Sequence, residues 1–143
     1  MTSAEDELRA VVEERVRAVQ AKDPVPLAAR QAADVLTFDV LPPLAARGSA
    51  AVQEKTRAWF DAYAGDIGYE VRDLQVTAGD DVGFCSFLYR VSGTLAAGGE
   101  VDMWVRATLG CRRVDGRWLI AHVHESTPFH MDGSFAAATD LTP

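Results

Sequence analysis

Residues 100–127 read EVDMWVRATLGCRRVDGRWLIAHVHEST, and this stretch decides the fold. Two strand-like runs, Glu100 to Val114 and Arg117 to Thr127, meet at Asp115-Gly116. Asp-Gly between apolar runs marks a two-residue hairpin, because both central residues of that turn need positive φ. With those residues as the turn, Val114 opposes Arg117, Gly110 opposes Ala121, Thr108 opposes Val123, Arg106 opposes Glu125 and Trp104 opposes Thr127. Directly opposed side chains share a face of the sheet. One face is then expected to carry Asp102, Trp104, Arg106, Thr108, Ala121, Val123 and Glu125. The other carries Met103, Val105, Ala107, Leu109, Cys111, Trp118, Ile120, His122 and His124. The register holds only if no bulge interrupts it.

Upstream, Tyr69, Val71, Leu74 and Val76 keep strand character but change parity between Val71 and Leu74, which predicts a bulge. Val82 to Val91 is a further strand, joined to Glu100 by way of Gly98-Gly99. The N-terminal part is helical. Leu8, Val11, Val12, Val16 and Val19 fall at helix spacing between Ser3 and Ala21, and Ser3 with Asp6 resembles a capping box. Asp23-Pro24 reads as an N-cap and first-turn proline opening a second helix toward Ala32. Val35 to Leu41, closed by Pro42-Pro43, reads as a strand. Gly48-Ser49 opens a third helix with Val52, Thr56, Trp59, Phe60 and Tyr63 on one face and Gly65 past its end. From Pro128 onward the chain is expected to wrap the surface. The order α-α-β-α followed by four antiparallel strands is that of a single α+β domain over residues 1–143.

Composition narrows the function. The 143 residues suit one domain, and 48% hydrophobic content suffices for a real core. Twenty-one acidic against 14 basic residues give a net charge of −7, which disfavours nucleic acid as a partner. No apolar run approaches the roughly 18 residues of a membrane span. The polar, acidic start carries no leader pattern, so a cytoplasmic protein is expected. Cys85 and Cys111 are too few for a disulfide framework and are read as small buried apolar residues.

The three helices, the strand bearing Phe38-Asp39, the Arg47-Gly48 helix start and the Asp115-Gly116-Arg117-Trp118 turn resemble the nuclear transport factor 2-like superfamily. The closing segment is similar to its ketosteroid isomerase-like and SnoaL-like members. The resemblance spans essentially the whole chain. It implies a cone-shaped, curved antiparallel (mixed) sheet packed on three N-terminal helices around a pocket. Isomerases of that superfamily enolise a ketone there, with a carboxylate base and a phenol plus neutral acid at the oxyanion. By this resemblance Asp39, nine positions before Gly48, matches the base. The phenolic donor's position falls on Arg15 and the oxyanion acid's at or near Thr108, so neither donor type is in place. The last-strand pocket residues fall on Ala121, Val123 and Glu125.

The candidate catalytic residues are therefore Asp39, Arg106 and Glu125. Asp39 lies among Leu36, Phe38, Val40 and Leu41, where enclosure would suit a general base; the alternative is a solvent-facing turn acid beside Pro42. Arg106 offers planar, bidentate geometry to a carboxylate or enolate oxygen. The alternative is a structural pair with Glu125, which can hold at the same time; Glu125 would orient it or act as a second acid. Asp102, Arg106 and Asp39 also supply the residue types of a water-activating trio. Trp59, Tyr63, Asp102, Trp104, Thr108 and Val123 are the expected ligand-binding residues, although Trp59, Phe60 and Tyr63 at helical spacing also read as core. His122 and His124 form an H-x-H with only His130 as a third imidazole, and are read as hydrogen-bonded histidines on a packed or dimeric face. No metal or cofactor is expected.

The expected function is a small-molecule pocket performing cofactor-free proton transfer, of isomerase or cyclase type, on an apolar carbonyl metabolite. The alternative is a non-catalytic ligand-binding or homo-oligomerisation domain. The face bearing Val105, Leu109, Trp118 and Ile120 needs cover, and a homodimer through the sheet is expected to supply it.

Overall fold

The computed structural model describes residues 2–143. Helix α1 (Ala4–Gln20) starts where the Ser3 hydroxyl accepts from the Asp6 N–H and the Asp6 carboxylate accepts from the Ser3 N–H. Asp23 caps α2 (Pro24–Ala29) by accepting from the Val25 N–H. Strand β1 (Gln31–Phe38) follows at once and lies further toward the N-terminus than the expected Val35 to Leu41. The reason is tertiary: the Ile120 N–H donates to the Arg30 carbonyl at 2.7 Å, and Gln31 already pairs with Ile120. A two-residue edge strand, β2 (Ala46–Arg47), precedes α3 (Ser49–Asp61). Strands β3 (Gly68–Ala78), β4 (Val82–Thr94), β5 (Glu100–Val114) and β6 (Arg117–Ser126) complete one six-stranded sheet in the order β2-β1-β6-β5-β4-β3. β1 runs parallel to β6 and every other neighbour is antiparallel, so the sheet is mixed. The expected β3 bulge lies between Arg72 and Gln75, with Asp73 at φ 57°.

Asp115 and Gly116 take φ 52° and 76°, as the turn demands. From Val114↔Arg117 to Cys111↔Ile120 the register is the expected one. A bulge at Ala121 then shifts it by one residue. Gly110 pairs with His122, Leu109 with Val123, Thr108 with His124, Ala107 with Glu125, and Arg106 with Ser126. The expected Arg106–Glu125, Thr108–Val123 and Gly110–Ala121 pairs are corrected accordingly. Hydrophobic burial explains the shift. Without the extra residue, His122 and His124 would face the core and Val123 would face out. With it, Val123 is 7% exposed and both histidines stand on the opposite face. The adjoining β1 pairing is irregular between Gln31 and Leu36, beside the same bulge.

Leu8, Val11, Val12 and Val19 of α1 belong to one core with Cys85, Phe87, Val105, Leu109, Cys111, Trp118 and Ile120. The face expected to need a dimer partner is thus covered by the chain's own helices. Fully burying a Leu such as Leu8 or Leu109 contributes about 2 kcal/mol. Both cysteines are free and buried, as expected. The other sheet face carries Phe84, Trp104, Arg106 and Thr108, with Phe84 48% exposed. After β6 the C-terminal segment folds back on itself through a Phe129–Ala137 bridge and buries Ala138. Among the described residues, no helix is long and apolar enough to cross a membrane.

Candidate active site

The Ala121 bulge turns Glu125 into the helix-covered face, opposite Ala107. A methyl group as nearest cross-strand neighbour leaves room for longer side chains to reach the carboxylate. Tyr89, one strand further away on β4, donates its hydroxyl to Glu125 Oε2 at 2.8 Å. Arg15 Nη2 of α1 donates to Oε1 at 3.3 Å. The Glu125 side chain is 8% exposed and that of Arg15 16%. Tyr69 of β3 stacks on Tyr89 with ring centroids 4.7 Å apart. Its hydroxyl is enclosed beside the Arg15 guanidinium and near enough to interact with it, although neither that hydroxyl nor Arg15 Nε has a partner in full hydrogen-bond geometry.

Asp39 completes the group. Thr37 pairs with Val123 and Phe38 with His124 along parallel β1 and β6. Asp39 follows the last pair of that register, and its charge is near enough to act on Glu125. On its other side Asp39 Oδ2 lies 3.3 Å from Lys55 Nζ of α3, and Oδ1 accepts from the Leu41 N–H at 3.4 Å. Lys55 Nζ is enclosed and out of line for a hydrogen bond to that carboxylate.

Burial pushes the Glu125 carboxyl above the usual carboxylate range. Arg15 opposes the rise, the Asp39 charge adds to it, and the Tyr89 and Arg15 hydrogen bonds pull part of it back. The Asp39 side chain, 31% exposed, keeps contact with water and an ammonium partner. Burial lifts the Tyr69 phenol to about 12, with Arg15 opposing and Glu125 adding, so at neutral pH it is a hydrogen-bond donor. Two neighbouring carboxyl groups in unlike surroundings, with a phenol and a guanidinium alongside, can divide acid from base work.

Among known families, the model of the SnoaL-like domain matches residues 8–130. The chain belongs to the SnoaL-like family. It is similar over its full length to a nuclear transport factor 2-like protein of unknown function from Pseudomonas putida, with 30% identity, a TM-score of 0.90 and 99% of that chain covered. A ketosteroid isomerase-like protein from Erwinia carotovora shares the fold at 20% identity and TM-score 0.75, over 88% of this chain and 97% of that one. A nuclear transport factor 2-like superfamily protein from Salmonella enterica does so at 12% identity and TM-score 0.78, over 91% and 94%. At those two identities the likeness establishes fold alone. Comparison with curated proteins finds no match.

Of the residues singled out from the sequence of this SnoaL-like protein, Asp39, Glu125 and Val123 come together on the helix-covered side. Trp59 is half-buried, packs on the core and lies 5.2 Å from the Phe60 ring. Tyr63 is core, 6% exposed, and bridges to Leu95. Arg106, Trp104, Thr108 and Asp102 stand on the opposite sheet face. Arg106 is exposed and donates to Ser126 Oγ at 3.2 Å. Asp102 is held by two 2.8 Å bonds from Arg90, and with Trp104 it lines a groove of about 330 Å³ beneath Thr139–Thr142. The Asp39–Arg106–Asp102 trio is therefore not assembled. His122 Nδ1 lies 2.7 Å from the Leu36 carbonyl, and both His122 and His124 meet the Phe38 ring edge-on. Among the described residues no three His, Cys, Asp or Glu side chains gather as metal ligands.

Sequence reasoning gave Arg15 the phenolic donor's position but no role of its own, and missed Lys55, Tyr69 and Tyr89 as site residues. Arg15 carried a signal: in the stripe Leu8, Val11, Val12, Val19 it is the one charged residue at an inward helical position. Tyr69 and Tyr89 carried none beyond strand parity, because their convergence depends on the order of the strands.

Proposed function

We propose that this protein binds an apolar carbonyl compound and transfers a proton next to the carbonyl without a cofactor. The observation that carries the reading is the pair Asp39 and Glu125, near enough for the Asp39 charge to act on Glu125, and in unlike surroundings where parallel β1 and β6 run out. Asp39 removes the α-proton as the C–H bond breaks. The negative charge gathers on the carbonyl oxygen, which accepts from the Tyr69 hydroxyl and Arg15 Nε. Arg15, not Arg106, supplies the positive charge. Glu125, whose burial favours its protonated form, returns a proton to the enolate carbon, and Asp39 beside it re-supplies Glu125.

Deuterium uptake tests this without knowledge of the natural substrate. Indanone and tetralone are incubated with the protein in heavy water and followed by proton NMR. Exchange at the α-carbon above the buffer rate is expected, falling by about 10²-fold or more in Asp39→Asn, the usual worth of a general base. A probe that binds with no exchange above buffer would leave a ligand-binding protein rather than an enzyme.

A second reading, assembly into a homodimer, has moved to the other sheet face. Phe38, Phe84 and Val82 are 36%, 48% and 62% exposed there, beside Trp104. Light scattering after gel filtration tests it, with Trp104→Glu expected to convert the dimer to monomer.

A further inference from the structure

The hydrogen-bonding capacity left open in the site leans toward donors. Arg15 Nε, Tyr69 Oη and Lys55 Nζ are enclosed without a partner in full hydrogen-bond geometry; Arg15 Nε and Lys55 Nζ can only donate, and the Tyr69 hydroxyl beside Arg15 keeps its proton to give even where it accepts from the guanidinium. The carboxylate oxygens are provided for: Glu125 Oε1 and Oε2 receive Arg15 and Tyr89, and Asp39 Oδ1 and Oδ2 face the Leu41 N–H and Lys55. Enclosed donors without acceptors cost stability unless a ligand or ordered water supplies oxygen atoms. Two of the three belong to basic side chains, at different ends of the group. Arg15 and Tyr69 lie on the far side of Glu125, whereas Lys55 lies beyond Asp39 on α3.

We infer that the natural ligand is an apolar keto acid, its carbonyl oxygen received by Tyr69 and Arg15 and its carboxylate by Lys55. The inference rests on the pocket reading above and adds the charged end of the substrate. Half-buried apolar groups packed against the core, among them Val16, Val40 and Trp59, lie on the same elements or next to them and suit the apolar body. A carboxylate on Lys55 completes the ammonium's hydrogen bonds without displacing Asp39 from its role. It also favours the acid over a neutral ketone, which binds with Lys55 left to Asp39 alone.

The test uses matched probes that differ only in charge. Benzoylformate, benzoylpropionate and benzoylbutyrate are each compared with the methyl ester by calorimetry, on wild type, Lys55→Met and Lys55→Arg. Thermal melts confirm that each variant folds. At least one acid is expected to bind about tenfold tighter than its ester, the worth of a charge-assisted hydrogen bond. Lys55→Met should erase that gap, and Lys55→Arg should keep most of it. Acids and esters binding equally, or a gap that survives Lys55→Met, would overturn the keto-acid inference alone. No binding of any acid or ester would overturn it together with the pocket reading.

Discussion

The Tyr89 hydroxyl donates to Glu125 Oε2 at 2.8 Å, reaching from β4 across the whole of β5 to β6. This bond ties the buried acid to the sheet and favours its ionised form. Tyr89→Phe should therefore raise the Glu125 pKa further and cost about 1–2 kcal/mol of stability. Carbon NMR titration of the labelled Glu125 carboxyl and urea unfolding check the two halves. An unchanged titration would mean that the bond does not set the proton affinity of Glu125.

Glu125 also gives stability a pH dependence. Burial, the largest influence, raises its folded pKa above the unfolded value of about 4.3. The folded state then binds the proton more tightly than the unfolded chain. The contribution is fully present below the unfolded pKa and is lost as pH rises toward the folded one. Urea unfolding from about pH 4 to about pH 8 should show this decline in wild type and a flatter profile in Glu125→Gln. Parallel profiles would place the pH dependence elsewhere.

The bulge at Ala121 puts Val123 and Glu125 on the core side. Deleting Ala121 should restore the unbroken register, driving His122 and His124 inward and Val123 and Glu125 out. The expected loss is about 3 kcal/mol or more, from lost apolar burial and buried imidazoles. Ala121→Gly, which keeps the residue count, should retain the fold. Circular dichroism melts and amide NMR spectra distinguish the two. A deletion variant as stable as wild type would show that the register is not set by burial.

Gly93 takes φ 152°, and a Cβ there would lie 2.8 Å from the Tyr63 ring and 3.1 Å from the Asp66 carbonyl. Gly93→Ala should cost about 1–3 kcal/mol by strain and overpacking against a core tyrosine. Differential scanning calorimetry measures it, and an unshifted melt would mean that Tyr63 moves aside freely.

Much of the architecture was legible in the chain itself. The Ser3 capping box, the Asp23-Pro24 helix start, the β3 bulge and the Asp115-Gly116 turn are local events. Their causes lie within a few residues: side-chain caps, a fixed proline φ, a change of parity and residues tolerant of positive φ. The approach of Asp39 to Glu125 was not local, and neither was the meeting of Tyr69, Tyr89 and Arg15. Those contacts depend on β1 entering parallel to β6, on β5 standing between β4 and β6, and on α1 crossing the sheet.

The placement of Arg106 shows the difference. From the turn alone it faces Glu125, and a single extra residue at Ala121 puts the two on opposite faces. Strand side chains alternate with a period of two, so one inserted residue inverts every orientation beyond it. By itself the sequence determined which segments are helix, strand and turn, because those choices are settled by neighbours along the chain. Only the tertiary structure decided which face Glu125 takes. That choice followed the larger burial, Val123 inside and both histidines outside, and the energy of burial exists only once the helices cover the sheet.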